Sequence, residues 1–330
     1  MGIADLPQLV LAGDRRALAQ AITLVESSRA DHREQAEALL AALAKEKREA
    51  LRIGLTGSPG VGKSTFIEAF GTLLTGLGKR VAVLAIDPSS AQSGGSILGD
   101  KTRMPELARN PMAFVRPSAS QAALGGVAAA TRSAAALCEA AGFDVVLIET
   151  VGVGQSEIAV ADMTDLFVLL IAPGGGDELQ GVKRGIVEMA DLIVVNKADG
   201  AFEAAAKRTA ADYAAALMLM RAGGPRPQDM DQVMTVSAEV GLGLDEVWAW
   251  ARALASWRKQ EGHWGRIRQD QARRAFETGL VEEIARLAES DADLAEARRA
   301  MAERVAVGDA TPRAAAAEVV AAWKTRLEGP

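Results

Sequence analysis

One cysteine, Cys138, and two histidines, His32 and His263, are all the thiol and imidazole side chains in 330 residues. A lone cysteine excludes a disulfide framework within the chain and suits a reducing cytoplasm, the expected location. Neither histidine has a ligand neighbour at metal-binding spacing. Cys138 is expected as a small core residue of a helix over 128–141. Aromatics make up 4% of the chain, with a single Tyr, so the core falls to Leu, Val, Ile and Ala. No run of 18 apolar residues exists, and no segment is expected to span a membrane. The start, Met1-Gly2-Ile3-Ala4-Asp5, lacks the charged-then-apolar pattern of a secretion signal. Basic excess is missing too: 37 Lys and Arg stand against 43 Asp and Glu, a net charge of −6. With no basic stripe interleaved by aromatics, a nucleic-acid partner is not expected.

What the chain does have is alternation. Short apolar runs at 51–56, 80–86, 113–116, 144–149, 166–171, 192–196 and 232–236 read as strands. Longer amphipathic stretches at 64–77, 126–141, 178–190, 202–221 and 243–260 read as helices. Strands alternating with helices imply an α/β fold with a doubly wound, mostly parallel sheet over 50–256. Residues 1–49 read as an extension of two helices, 15–26 and 32–49. The run Lys45-Glu46-Lys47-Arg48-Glu49 is expected as a solvated helix end with i,i+4 charge pairs. From 257 to 330 the pattern is helix alone, over 265–289, 291–307 and 312–328, with Thr311-Pro312 as the last start signal. Such helices have too little core of their own and are expected to pack on the main domain or on a second copy. Trp248, Trp250, Trp257, Trp264 and Trp323 are read as core and interface residues.

Two motifs carry chemistry. Gly57-Ser58-Pro59-Gly60-Val61-Gly62-Lys63-Ser64, followed by Thr65, fits GxxxxGK[ST] between a strand and a helix. In that context backbone N–H groups cradle phosphates, Lys63 meets the outer phosphates and the Ser64 hydroxyl meets Mg²⁺. Asn196-Lys197-Ala198-Asp199 fits NKxD at the end of a β-branched strand. Its Asp carboxylate matches the ring N–H and amine of guanine, a donor pair that adenine lacks. Ser237-Ala238-Glu239, after the last strand, stands where a backbone N–H would meet the guanine oxygen. Together they imply GTP and GDP rather than adenine nucleotides.

Between the motifs lie the acids. Asp87, at a strand tip beside the phosphate loop, is placed to hold Mg²⁺ directly or through water. Asp100 follows the glycine-rich Gly94-Gly95-Ser96 and is read as a second acid brought to the metal. Glu149-Thr150-Val151-Gly152 puts Glu where most GTPases have Asp, with the Gly152 N–H a donor to the γ-phosphate. Val153 to Glu157 hold the nearest amide and acid for orienting water, Gln155 being the first choice. In Gly174-Gly175-Gly176-Asp177-Glu178, three glycines carry an entropic cost that a plain turn would rarely bear. Asp177 and Glu178, followed by Lys183 and Arg184, are read as a switch that exchanges salt-bridge partners between nucleotide states.

In order, GSPGVGKST, AIDPSS, GGSILGDKTRM, IETVGVGQSE, PGGGDELQGVKRGI and NKAD resemble the MeaB/ArgK family of P-loop GTPases, bacterial relatives of the methylmalonic aciduria type A protein. The resemblance covers about residues 8–255. It implies a GTPase chaperone of an adenosylcobalamin-dependent acyl-CoA mutase, most often methylmalonyl-CoA mutase, that couples GTP hydrolysis to cofactor loading and to protection and reactivation of the mutase. It also implies slow turnover without the partner, and a homodimer built through a C-terminal helical arm. On the same ground Asp87, Asp100 and Glu149 match the acids around Mg²⁺, while Asp177 and Lys183 match the mutase-responsive loop. Lys63, Glu149, Gln155 and Asp100 are then the expected catalytic set. Two alternatives stay open: a nickel-delivery maturation GTPase, and a dimeric scaffold that binds GTP without turnover.

Overall fold

The computed structural model describes residues 5–86, 104–116, 124–150, 156–174, 184–220 and 223–327. Seven strands form one sheet: β1 (Leu51–Thr56), β2 (Val81–Ile86), β3 (Ala113–Arg116), β4 (Val145–Thr150), β5 (Leu166–Ile171), β6 (Leu192–Val195) and β7 (Val233–Thr235). Their order is β3-β2-β4-β1-β5-β6-β7, and every pairing is parallel. Both faces are covered, which explains why the strands read as unbroken apolar runs. In β5 all six residues are buried; Phe167, Leu169 and Ile171 serve one core, and Leu166, Val168 and Leu170 the other.

One face carries α1 (Leu6–Leu11), α2 (Arg15–Val25), α3 (Ala30–Leu43), α6 (Leu124–Ala140), α7 (Ser156–Ala161), α8 (Arg184–Met189) and α9 (Glu203–Met220). The other carries α4 (Lys63–Gly76), α5 (Pro105–Arg109) and α10 (Leu244–Gln260). Cys138 is fully buried in α6, where burial pushes its thiol pKa up and leaves it a core residue. From β1 the chain moves to β2 and β3 on one side, returns to insert β4, then continues to β5 on the other side. Ligands of open α/β sheets bind at the carboxyl ends of strands where the order reverses in this way.

The N-terminal extension holds three helices instead of two, and α2 is capped by Asp14 Oδ1 accepting from Ala17 N at 2.7 Å. The helix expected over 32–49 stops at Leu43, and Lys45–Glu49 lie outside it. Tertiary partners outweigh i,i+4 pairs worth only a few tenths of a kcal/mol. Arg48 Nη1 donates to the carbonyls of Leu11 and Ala140, each at 2.9 Å, while Glu49 faces Lys259 at 3.9 Å and Arg268 at 3.7 Å.

An ion network closes the amino end of the sheet. Arg258 of α10, 2% exposed, pairs with Asp191 and donates to the carbonyls of Asp165 and Pro225. From α11 (His263–Ser290), Arg268 bonds both Asp165 oxygens, at 2.8 and 2.7 Å, and the Ala50 carbonyl at 2.8 Å. Burial lowers the Arg268 pKa, but the Asp165 hydrogen bonds together with the charges of Asp165, Glu139 and Glu49 outweigh it and keep the guanidinium charged. Lys259 Nζ and Arg268 Cζ both lie over the Trp264 ring, 4.5 and 4.7 Å from its centre.

The chain divides into two compact units, Met1–Gln271 and Ala272–Pro330. The second contains the rest of α11 with α12 (Ala292–Ala306) and α13 (Pro312–Leu327). Asp291 caps α12 by accepting from Asp293 N and Leu294 N, and Arg326 reaches it at 3.4 Å. Among the described residues of this unit, only Leu294 and Ala315 are buried apolar side chains. Phe276, Leu280, Ile284 and Leu287, spaced for one helical face, are exposed. A groove of about 610 Å³ is lined by Ile284, Met301, Val319 and Trp323 among others. Among the described residues no helix is long and apolar enough to cross a membrane.

Candidate nucleotide site

The glycine loop between β1 and α4 turns on backbone that only glycine adopts freely: Gly60 and Gly62 have φ of 87° and 90°. A Cβ on Gly57 would stand 2.2 Å from the Leu170 carbonyl oxygen, and one on Gly62 2.7 Å from Asn196 Nδ2. The glycines therefore let the loop seat on β5 and on the NKAD segment. Lys63, 8% exposed, donates from Nζ to the carbonyls of Gly57 (2.7 Å) and Ser58 (3.2 Å). Burial lowers its pKa, and the charges of Glu149 and Glu157 act in the opposite direction. Pro59 and Thr65 are exposed, Val61 is buried, and Ser64 is half-buried at the first turn of α4.

NKAD closes over this loop. Asn196 Nδ2 donates to the Val61 carbonyl at 2.9 Å, and Lys197 Nζ to the Gly60 carbonyl at 2.8 Å. Lys197 is the one non-glycine residue with positive φ among the described residues, at 58°. Asn196 Oδ1 accepts from Ala238 N at 3.1 Å, Ala198 N donates to the Val236 carbonyl at 3.0 Å, and the Ser237 hydroxyl donates to Asp199 Oδ1 at 2.5 Å. The segments after β6 and β7 are thus zipped side by side, with Asp199 half-buried and Glu239 exposed. Ser237 N is taken by the Leu242 carbonyl at 3.0 Å.

Glu149, next to last in β4, is 9% exposed, and the Ser64 hydroxyl faces its Oε1 at 3.5 Å. Beside them the buried hydroxyls of Thr150 and Thr56 meet at 2.9 Å, tying the ends of β4 and β1. A hydroxyl and a carboxylate are hard oxygen donors suited to Mg²⁺, which takes one or two carboxylates and completes its shell with phosphates and water. Asp87, Asp100, Gly152, Gln155, Asp177, Glu178 and Lys183 lie outside the described residues. The remaining expected residues, from Gly57 to Thr65 with Glu149, Asn196, Lys197, Asp199 and Ser237–Glu239, fall at one carboxyl edge of the sheet.

Three features exceed the sequence reading. Ser237 joins the site through its side chain, which holds Asp199, while its backbone N–H is spent on the Leu242 carbonyl. Thr56 and Thr150 form an unanticipated pair. Glu157, ranked behind Gln155 in the sequence, is 2% exposed on α7 and acts on the Lys63 charge.

A family model described as Methylmalonyl Co-A mutase-associated GTPase MeaB matches residues 18–293. A protein of Caulobacter vibrioides is 58% identical over 248 residues, 75% of each chain. The methylmalonic aciduria type A homolog, mitochondrial, of Mus musculus is 45% identical over 329 residues, 96% of this chain and 78% of that one. Among solved structures, a LAO/AO transport system kinase superposes with a TM-score of 0.74 at 35% identity, covering 98% of this chain and 97% of the other. The glycine loop and the NKAD segment meet at one sheet edge, and on these matches the chain belongs to the MeaB family of P-loop GTPases.

Proposed function

We propose that the protein is a GTP-hydrolysing chaperone that loads, protects and reactivates an adenosylcobalamin-dependent acyl-CoA mutase, methylmalonyl-CoA mutase in the first place. The observation that supports this most is the match to the methylmalonic aciduria type A homolog along 96% of the chain, nucleotide site included. Gly57 to Thr65 would cradle the phosphates through backbone N–H groups, with Lys63 on the outer phosphates. Asp199, oriented by Ser237, would take the guanine N–H and amine, and the Ser237–Glu239 loop would face the guanine oxygen. Ser64 and Glu149, joined by Asp87 and Asp100, would hold Mg²⁺, which neutralises charge on the β- and γ-phosphates. Gln155 would orient water, with Gly152 on the γ-phosphate. Asp177, Glu178 and Lys183 would exchange partners as the nucleotide changes, and so report its state to the mutase.

The work is assigned by segment: 50–256 for the nucleotide, 1–49 as a helical extension, and 257–330 as the arm of a homodimer in the cytoplasm. Slow basal turnover follows from this division, because the switch is completed by the mutase. Hydrolysis measured alone and with the cognate mutase tests it. A rate that rises on adding mutase, with binding that differs between GDP and a non-hydrolysable GTP analogue, is expected. A mutase that binds in neither nucleotide state overturns the chaperone role.

A further inference from the structure

The Thr56–Thr150 pair has no task in the scheme above. β1 and β4 run in parallel register from Leu51 opposite Val145 to Leu55 opposite Glu149, and the pairing stops there. One residue further on, the Thr150 hydroxyl donates to the Thr56 hydroxyl at 2.9 Å. Thr56 is still paired with Leu169 of β5, and Thr150 with Ile86 of β2. The seam between the two central strands thus opens at its carboxyl end, and a side-chain bond is its last link.

Alternation along a strand puts both threonines on the face of Val146 and Ile148, and Leu55 and Glu149 on the opposite face, toward α4. Thr56 is 1% exposed and Thr150 0%. Valine has the same shape and would fill both places with no hydroxyl to desolvate, so packing alone does not call for threonine. The directed bond is what the two hydroxyls add. It joins two pieces of chemistry. Thr56 precedes Gly57, whose carbonyl accepts from Lys63 Nζ at 2.7 Å. Thr150 follows Glu149, whose Oε1 lies 3.5 Å from the Ser64 hydroxyl. Because neighbouring residues of a strand face opposite ways, a shift of Thr150 at the strand end turns Glu149 with it.

We propose that Thr56 and Thr150 are positioning residues: their bond, acting through the backbone of Gly57 and Glu149, holds the Glu149 carboxylate where it and Ser64 share one divalent cation. The inference rests on the GTPase reading of this site. Groups that orient the ligands of a metal ion are worth about tenfold or more in metal affinity.

Thr56→Val combined with Thr150→Val removes both hydroxyls at constant shape. Neither partner is left buried and unsatisfied, so stability in urea should stay near that of the wild type. GDP affinity without Mg²⁺, GDP dissociation across a Mg²⁺ titration, and single-turnover GTP hydrolysis are measured in the full-length protein. Unchanged Mg²⁺-free affinity is expected, with about tenfold more Mg²⁺ needed to slow GDP release and hydrolysis slowed to a similar degree at limiting Mg²⁺. Thr56→Ser combined with Thr150→Ser keeps the bond and should keep the wild-type Mg²⁺ requirement. A merely structural pair predicts that the double valine variant titrates with Mg²⁺ like the wild type, or loses GDP equally with and without the ion; either result overturns the proposal. Should the double variant not fold, Thr150→Ala carries the same expectation. Wild-type protein that binds no guanine nucleotide would instead sink the GTPase reading itself, a distinct outcome.

Discussion

At Gly62 the two halves of the nucleotide site meet. Its left-handed φ starts α4, and its missing Cβ admits the Asn196 amide that locks NKAD to the phosphate loop. The phosphate-loop and NKAD segments are therefore mechanically joined. Lys63→Ala is expected to abolish nucleotide binding. Asp199→Asn should weaken GTP and shift preference toward xanthine nucleotides, read by competition binding; unchanged guanine preference would remove NKAD from the base site. These residues were legible in the sequence because a backbone that bonds phosphate demands glycines at fixed spacing. Glu157 was harder to rank. An acid at the start of a short helix carries the same local signature as one that complements the helix dipole. Only its burial separates the two.

Among the elements, all seven strands were readable as apolar runs, because parallel strands covered on both faces have no polar side. The long helices followed from their period. Helices α5 and α7, of five and six residues, are too short for a periodic signal to emerge. The end of α3 was misplaced for a different reason: Arg48 and Glu49 answer to partners from α6, α10 and α11 that local sequence does not reveal. Burial also hid the clamp at the amino end of the sheet, since Arg258 reads as one more basic residue near the end of α10. Removing one member of such a buried pair costs about 3–5 kcal/mol. Arg258→Ala should lose stability of that order in urea unfolding, whereas Arg258→Met combined with Asp191→Leu should recover much of it. A loss under about 1 kcal/mol in the single variant would mean that solvent reaches the pair.

For the molecule as a whole, the second unit poses the question of what completes it. Its helices bury only two apolar side chains among the described residues, while Phe276, Leu280, Ile284 and Leu287 remain exposed along one face. A second copy of the chain is the occupant proposed above, and it would supply the missing core. Phe276→Asp combined with Ile284→Asp is expected to convert a dimer to a monomer in light scattering. An unchanged mass would move the interface elsewhere.

The sheet order also bears on how the protein is made. β1, which carries the phosphate loop, has neither neighbour until Val145–Glu149 and Leu166–Leu169 have been synthesised. The base-side segments at 196–199 and 237–239 come later still. A nascent chain leaving the ribosome thus has its glycine loop early, while the segments that close over that loop arrive only when residues near 239 have emerged. Completion of this sheet edge is thus a late event in the chain's synthesis, possible only once the sheet has closed around its first strand.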